Sequence, residues 1–494
     1  MILVMSSAAI QPVKRHWRPW KVLLGVFVAL IICFFGYQWF RARQDEIRLQ
    51  AAIEVTDQID PYWRLADLIK EYEQLPASVY FPQAATSRGY IGWFGDDIGE
   101  RPGRIPYERQ GIDFAVRFPA PYFKILRERL QSTGAVSPKS MRDALEQIAK
   151  EPAICKVPFD DNNLMQRIRY VSLYLLDEVE LAAHEGRHAA LITLLKSQLK
   201  LSAYCLATPK PINHLIGIAI RAQAISGIKR VLSLGTPSSE FLMQLQQLLA
   251  EEDRSYAIHI LRCSRADYFD DLEKAGRDPA TWQKLKDELK PAPLSTVPTV
   301  MERINYCLKW IEVESAMKSL PLAQAEVLEV GKEMIAQVKT QPTDFLHIDL
   351  TALPQYSPKI LRPVKHLLAQ QFVKTSFKIA SAEASSLAEL RSLIVALACE
   401  RYRLATGAWP MALTDLQPDY LKEIPLDPYT GQALLFRQLP DGVVVYSVGI
   451  NNVDDGGEVL YIAGIPKDRG VKLLNPKLRG RKFEEVHPEL ARPE

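Results

Sequence analysis

The chain has 494 residues, of which 48% are hydrophobic and 24% are charged, and its formal net charge at pH 7 is +3. This balance is typical of globular proteins and excludes a wholly disordered chain. The basic residues are spread along the sequence, whereas nucleic-acid binders concentrate them in a patch or stripe, so nucleic acid is not expected as a partner. A chain of this length has room for roughly two to four domains.

A long apolar segment near the N-terminus predicts a membrane anchor. Residues 22–40 form a run of 19 residues without a charged side chain, about the length that a helix needs to cross a bilayer. The sequence after the run is bulky and basic, which favours an uncleaved signal anchor over a removed signal peptide. Aromatic residues, which favour the headgroup region, lie at both ends of the run: Trp17, Trp20, Tyr37 and Trp39.

The charges that flank the run determine the expected orientation, because basic residues favour the cytoplasmic side. Four basic residues precede the run and three follow it: Lys14, Arg15, Arg18 and Lys21 before it, and Arg41, Arg43 and Arg48 after it. We therefore expect residues 1–21 to form a cytoplasmic tail and residues 22–40 to cross the inner (cytoplasmic) membrane once. The remaining chain is then extracytoplasmic, or periplasmic, and the membrane is the first expected partner.

Hydrophobic periodicity divides the rest of the chain into four regions. Residues 41–157 mix short helical patterns with loops. Residues 158–380 repeat apolar side chains at helical spacing, which predicts an array of helical hairpins; residues 381–465 are expected to form a small α+β domain, and residues 466–494 a basic, solvated tail. The predicted fold class is therefore mostly α. The first apolar stripe of the array consists of Leu164, Ile168, Val171, Leu175 and Val179.

The stretch His184-Glu185-Gly186-Arg187-His188 matches H-E-x-x-H, the signature of zinc peptidases. In such an enzyme both imidazoles bind zinc from one continuous helix, the intervening Glu activates the bound water, and a third ligand comes from elsewhere. One hypothesis is therefore a zinc site in which His184 and His188 are metal ligands and Glu185 is catalytic.

The alternative for the same stretch is a corner between two helices, and the sequence favours it. Gly186 would cost about 1 kcal/mol inside a helix, but glycine is typical of the left-handed residue that follows a helix end. A new apolar stripe begins directly after His188, and no Asp or Glu lies between His188 and Glu240 to supply the usual third zinc ligand. A corner would point the two imidazoles in different directions.

The six cysteines are widely separated and include no C-x-x-C pair, so neither a zinc ribbon nor a redox motif is indicated. We expect most of them to be small buried side chains, although an oxidising compartment would also permit one or two disulfides. Cys263 follows His259 by four residues, and we interpret it as a packed thiol.

The most specific pattern lies between residues 390 and 457. A helix that ends near Gly407 is followed by a proline-containing loop and a hairpin, with strands predicted at 434–439 and 443–448. Four motifs occur in order: Arg401-Tyr402-Arg403 with Gly407-x-Trp409-Pro410, Leu413-x-x-Leu416, Pro425-x-Asp427-Pro428-x-x-Gly431, and Tyr446-Ser447-x-Gly449. Together they resemble the globular head of the type II secretion system major pseudopilin, protein G.

The resemblance implies a small α+β head that binds protein partners. Similar heads end large membrane-anchored helical proteins of planctomycete-type bacteria, and the layout of this chain resembles that group. A pseudopilin begins with a short leader, a Gly-Phe cleavage site and a Glu near the start of the mature helix, and this N-terminus has none of them. We therefore expect a fixed membrane protein rather than a filament subunit.

In the family that this region resembles, the loop between the last strands binds calcium. The corresponding stretch begins at Asn451; Asp454 and Asp455 match the acidic positions, whereas Asn451-Asn452 stands where an Asp-Gly pair is common. Carboxylate and amide oxygens in a glycine-rich turn are suitable calcium ligands. The resemblance therefore implies a weak calcium site formed by Asn451, Asp454 and Asp455, and the alternative is a hairpin exit whose acidic side chains face water.

Together these features predict a non-enzymatic, membrane-anchored extracytoplasmic scaffold that binds protein partners and ends in a pseudopilin-like head. Calcium is the one candidate cofactor of this hypothesis. The alternative function is a membrane-bound zinc metallopeptidase that uses residues 184–188.

Overall fold

The chain is mostly helical, as its periodicity predicts, with 70% of the structure in helices. A small three-stranded sheet lies near the C-terminus. Residues 1–18 of the predicted cytoplasmic tail lie outside the part of the chain that the structure describes. The computed structural model describes residues 19–81, 116–117, 120–131, 138–159, 162–289, 319–340, 367–459 and 467–482.

The first helix, α1 (Pro19–Ile59), is 41 residues long, which corresponds to about 60 Å. Its N-terminal part is long and apolar enough to cross a membrane, and none of its most apolar window is buried in the protein. Its C-terminal part packs against α11 (Leu320–Thr340), where Leu49 and Leu328 belong to one apolar cluster. The candidate span is therefore continuous with a helix of the folded body.

The middle of the chain forms a series of helices that pack on their neighbours. Helices α5, α6 and α7 pack side by side, and α9 packs against α10 and α11. The predicted stripe of α5 is buried at Ile168, Val171, Leu175 and Val179, which explains why this helix packs between its neighbours. The bounds are α2 (Leu65–Glu73), β1 (Val116–Arg117), α3 (Ala120–Gln131), α4 (Pro138–Ile148), α5 (Asn162–Glu185), α6 (His188–Leu206), α7 (Pro211–Leu234), α8 (Ser239–Glu251), α9 (Ala257–Ala275) and α10 (Pro279–Leu289).

The last helix, α12 (Leu367–Thr406), is 40 residues long and crosses the predicted domain boundary between residues 380 and 381 without a break. It packs against α7, α8, α9 and α11, and also against the C-terminal sheet. Its buried face includes Leu390, Leu393 and Leu397. The helical array and the C-terminal domain therefore share one helix.

Two buried ion pairs hold α12 against its neighbours. Arg221 of α7 pairs with Glu383 of α12, both side chains are at most 2% exposed, and Arg221 also donates to the hydroxyl of Ser386 at 2.8 Å. Further along α12, Glu400 accepts two hydrogen bonds of 2.8 Å from Arg479. Because an unpaired buried charge is costly, each pair restricts α12 to one register.

The C-terminal sheet has three antiparallel strands in the order β2-β3-β4. Strands β2 (Leu435–Leu439) and β3 (Gly442–Ser447) form the predicted hairpin, within one residue of the predicted ends. Strand β4 (Arg469–Leu474) pairs along the whole of β3. A Cβ atom at Gly442 would lie 1.9 Å from the carbonyl oxygen of Leu473, so the close approach of β4 requires glycine at this position.

Residues 467–482, which the sequence assigns to a solvated tail, belong to the fold, so that prediction is wrong for this segment. Strand β4 completes the sheet, and β5 (Arg481–Lys482) pairs in parallel with β1. The basic residues that indicated solvation include Arg479, whose side chain is 1% exposed and bound to Glu400. A basic segment can therefore be buried where acidic partners meet it.

The cysteines of the described residues are all free thiols. Cys33 is exposed in the apolar part of α1, whereas the other four are buried, as expected for small side chains that pack like apolar ones. The buried cysteines are Cys155, Cys205, Cys263 and Cys399.

Candidate functional site

The H-E-x-x-H stretch forms a corner between two helices, which confirms the interpretation that the sequence favours. Helix α5 ends at Glu185, α6 begins at His188, and Gly186 between them has φ +67°. The N–H of Gly186 bonds the carbonyl of Ala183 at 3.3 Å, and the N–H of Arg187 bonds that of Ala182 at 2.9 Å. These two bonds form a Schellman motif, in which the left-handed residue ends the helix.

The two imidazoles of the corner stack on different helices. His184 stacks on the ring of Phe123 in α3, with centroids 3.5 Å apart, and His188 stacks on Phe241 in α8, with centroids 4.3 Å apart. A zinc peptidase needs both histidines on one continuous helix, and here that helix ends between them. In the described residues, neither histidine belongs to a group of three potential metal ligands.

The carboxylate of Glu185 accepts hydrogen bonds from two arginines. Arg127 donates to it at 2.8 Å and Arg187 at 2.6 Å. Burial would raise the pKa of Glu185, but these hydrogen bonds outweigh it, so its pKa is lowered. A general base works best with a pKa near the working pH, and the arginines move Glu185 away from that value.

A small cavity of about 160 Å³ lies between the corner and the loop that joins α7 to α8. Its lining includes His184 and His188 of the corner and residues 234–237. Sites for small molecules are typically about 300–1,000 Å³. The cavity is therefore smaller than a typical small-molecule site.

The residues that the resemblance implies as calcium ligands lie in the loop after β3 and have different hydrogen-bond partners there. Asn451 donates from its amide to Asp455 at 2.8 Å, and Lys467 lies 3.4 Å from the other oxygen of Asp455. These two residues, Asn451 and Asp455, are therefore adjacent.

Asp454 instead faces the sheet. Its carboxylate accepts hydrogen bonds from Arg437 at 2.6 Å, from the hydroxyl of Tyr446 at 2.9 Å and from the N–H of Gly456 at 2.9 Å. The bond from Gly456, with those from Tyr446 and Arg437, lowers the pKa of Asp454. Asp454 is therefore paired with side chains of β2 and β3, whereas Asn451 and Asp455 are bonded to each other.

A carboxylate that the sequence analysis missed lies behind this loop. Asp468 is fully buried, and it accepts the N–H of Gly457 at 2.7 Å and that of Asp455 at 3.4 Å. Burial raises the pKa of Asp468, and the charge of Asp455 adds to this effect. Asp468 immediately precedes β4. Its burial behind the loop can therefore be predicted only once β4 is known to pair with β3.

Comparisons with protein-family models, with curated proteins and with solved structures found no match.

The left-handed conformation of Gly186 predicts that an alanine at this position destabilises the fold. Gly186→Ala should lower the free energy of unfolding by about 1–2 kcal/mol, because a left-handed conformation is costly for a residue with a Cβ atom. A Cβ atom there would meet nothing within 4 Å, so the whole cost is conformational. Urea unfolding of the detergent-solubilised chain, followed by circular dichroism, measures this change.

The matched control is Gly235→Ala, where φ is −170° and a Cβ atom also meets nothing within 4 Å. Its effect should stay within about 0.5 kcal/mol, as for other surface changes. Gly186→Asn should cost less than Gly186→Ala, because Asn tolerates the left-handed region. Equal stability of the two alanine variants would contradict the corner.

Proposed function

We propose that this chain is a membrane-anchored extracytoplasmic scaffold that binds protein partners through its helical array and a pseudopilin-like head, without catalysing a reaction. The observation that carries the proposal is the first half of α1. Its large apolar side chains from Leu23 to Phe40 are 39–71% exposed, which is far more than a soluble monomer tolerates in one contiguous patch. A bilayer removes that surface from water.

The junction between anchor and body supports a scaffold rather than a flexible tether. Arg48, eight residues after the apolar run, binds both carboxylate oxygens of Glu329 at 2.6 and 3.0 Å. Ser319 donates to Asp45 at 2.6 Å. Because the helix passes from the apolar span into these contacts without a linker, the body is held at a fixed height above the membrane.

The end of the chain supports the head assignment through its layout. A long helix, α12, packs against a three-stranded antiparallel sheet, which is compatible with the pseudopilin resemblance of residues 390–457. In this proposal the head is the partner-binding end, and the array supports it. The corner geometry at residues 184–188 disfavours the alternative of a zinc metallopeptidase.

The proposal extends to calcium at the acidic loop of the head. Asp455 and Asn451 are adjacent, and the buried carboxylate of Asp468 lies behind them. Calcium binds six to eight oxygens from carboxylates, amides and carbonyls. A cation here would replace Lys467 as the partner of Asp455 and would offset the repulsion between Asp455 and Asp468. Asp454 joins this site only by leaving Arg437.

The orientation of the span is tested by reporter fusions. A reporter that is active only in the periplasm, fused after Glu494, should be active, and a reporter that is active only in the cytoplasm should not. The same fusion lacking residues 22–40 is the control and should reverse both results, because no apolar segment remains to carry the chain across. An active cytoplasmic reporter on the full chain would contradict the proposed orientation.

Calcium should stabilise the folded head. At a concentration tenfold above the dissociation constant, a ligand of the folded state adds about 1.4 kcal/mol. Millimolar calcium should therefore raise the melting temperature of the full chain in detergent, and magnesium should do so much less, because it demands a tighter octahedral site.

Asp455→Ala should abolish the calcium-dependent rise in melting temperature. The matched control is Asp441→Ala, which removes a half-exposed carboxylate paired with Lys472 in the same domain but away from the loop. A calcium response of equal size in both variants would show that the loop is only a turn.

A further inference from the structure

Two histidines and a cysteine meet between α7 and α9. His214 lies in the first turn of α7, and His259 and Cys263 are four residues apart on α9, so they share one face of that helix. One ligand atom from each of the three lies within 4.8 Å of the other two. In the described residues this is the one group of three potential metal ligands from His, Cys, Asp or Glu.

The carbonyl oxygen of Thr208, in the turn between α6 and α7, lies among these side chains. It is 2.7 Å from Nε2 of His214, 3.3 Å from Nε2 of His259 and 3.9 Å from Sγ of Cys263. The Sγ of Cys263 is 3.4 Å from Nε2 of His259. Zinc bonds of about 2.0–2.3 Å place neighbouring ligand atoms about 3.3–3.6 Å apart. Cys263 and His259 already have this spacing, and the ligand atom of His214, which lies within 4.8 Å of both, would move closer to them around an ion.

The second observation is that one ring nitrogen of the buried His214 has no hydrogen-bond partner. His214 is fully buried, and its Nδ1 atom has no hydrogen-bond partner. When Nε2–H donates to the Thr208 carbonyl, Nδ1 keeps its lone pair, and a buried acceptor without a donor is destabilising. Histidines that bind metals typically donate the other ring N–H to a carbonyl or carboxylate; with Nε2 of His214 bonded to the Thr208 carbonyl, Nδ1 is the atom that would bind the metal.

The protonation states suit metal binding. Burial lowers the pKa of His214 to about 3 and also lowers that of His259, so both imidazoles are neutral, the form that coordinates a metal. Burial raises the pKa of the Cys263 thiol, and a metal ion would displace its proton.

We propose that His214, His259 and Cys263 form a binding site for a transition-metal ion of the zinc class. Imidazole and thiolate donors select zinc and its neighbours, whereas calcium and magnesium prefer oxygen. Cys263 also belongs to an apolar cluster with Leu65 and Leu68 of α2, which cover it from solvent. The site is therefore structural: the ion would join the α6–α7 turn, α7 and α9 beneath α2.

Nearby charges fit a buried cation. A thiolate and two neutral imidazoles leave one positive charge on a bound divalent ion. The charge of Arg262 acts on Cys263, and those of Asp267 and Glu71 act on it with the opposite sign, although Asp267 also pairs with Lys210 at 2.9 Å. The adjacent Arg262 and Arg265 are both bound to Asp60, at 3.0 and 2.5 Å. Their charges are thus partly offset by a partner outside the cluster.

Cobalt titration tests the proposal. The full chain in detergent, stripped of metal by a chelator, should bind one equivalent of Co²⁺ and develop thiolate-to-cobalt charge-transfer absorption in the near ultraviolet. Zn²⁺ should displace the cobalt, and Mg²⁺ should not. X-ray absorption of the zinc-loaded wild-type chain should give one sulfur ligand together with imidazole ligands, whereas a shell of oxygen alone would overturn the proposal.

Variants identify the ligands. Loss of a partner outside the ligand set typically costs about 10–100-fold in metal affinity, so Cys263→Ser should cost more than this and remove the charge-transfer band. Cys399→Ser, at an equally buried thiol in α12, should retain the band, and so should His188→Gln at the corner. A band that survives in Cys263→Ser, or a metal that is lost in His188→Gln, would overturn the assignment.

Discussion

Four charged side chains inside the protein determine where α12 lies. Arg221 with Glu383, and Arg479 with Glu400, are at most 2% exposed, and removing one partner of such a pair typically costs about 3–5 kcal/mol. A shift of α12 by one residue would separate both pairs and leave Arg221, Glu383 and Arg479 without their charged partners, whereas Glu400 would keep only Arg403 of its own helix. For Glu400, burial would raise the pKa, and the hydrogen bonds from Arg479 and Arg403 outweigh it, so the carboxylate stays charged.

The packing is continuous from the candidate span to the C-terminal sheet. Helix α1 packs against α11, α11 against α12, and α12 against β3 and β4. Arg479 adds a direct link, because it also donates to the carbonyl of Gly235 between α7 and α8 at 3.0 Å. The helical array and the C-terminal sheet are therefore one structural unit, and α1 packs against it.

Local patterns in the sequence predicted the features that depend on neighbouring residues. The apolar run became the exposed half of α1, and Gly186 ended α5 because its left-handed conformation depends only on the residues beside it. The β2–β3 hairpin was placed within one residue because its turn is local. These features require no knowledge of how distant segments meet.

Sequence patterns do not predict the features that depend on contacts between residues far apart in the chain. By sequence alone, residues 467–482 resemble a solvated basic tail, because nothing local shows that Arg479 lies beside Glu400. The burial of Asp468 likewise depends on the pairing of β4 with β3. The cluster of His214, His259 and Cys263 joins residues more than forty positions apart. Periodicity places His214 and Cys263 on their own helices, but only tertiary packing brings the faces together.

The claim that the array and the head are one unit is tested most directly by hydrogen–deuterium exchange of the full chain in detergent, comparing wild type with Glu400→Gln. The substitution leaves Arg479 buried without a charged partner, which typically costs about 3–5 kcal/mol. The account predicts that amides in β3 and in α7 lose protection by a similar factor, because both depend on α12. Loss of protection confined to the C-terminal sheet, with α7 unchanged, would contradict it.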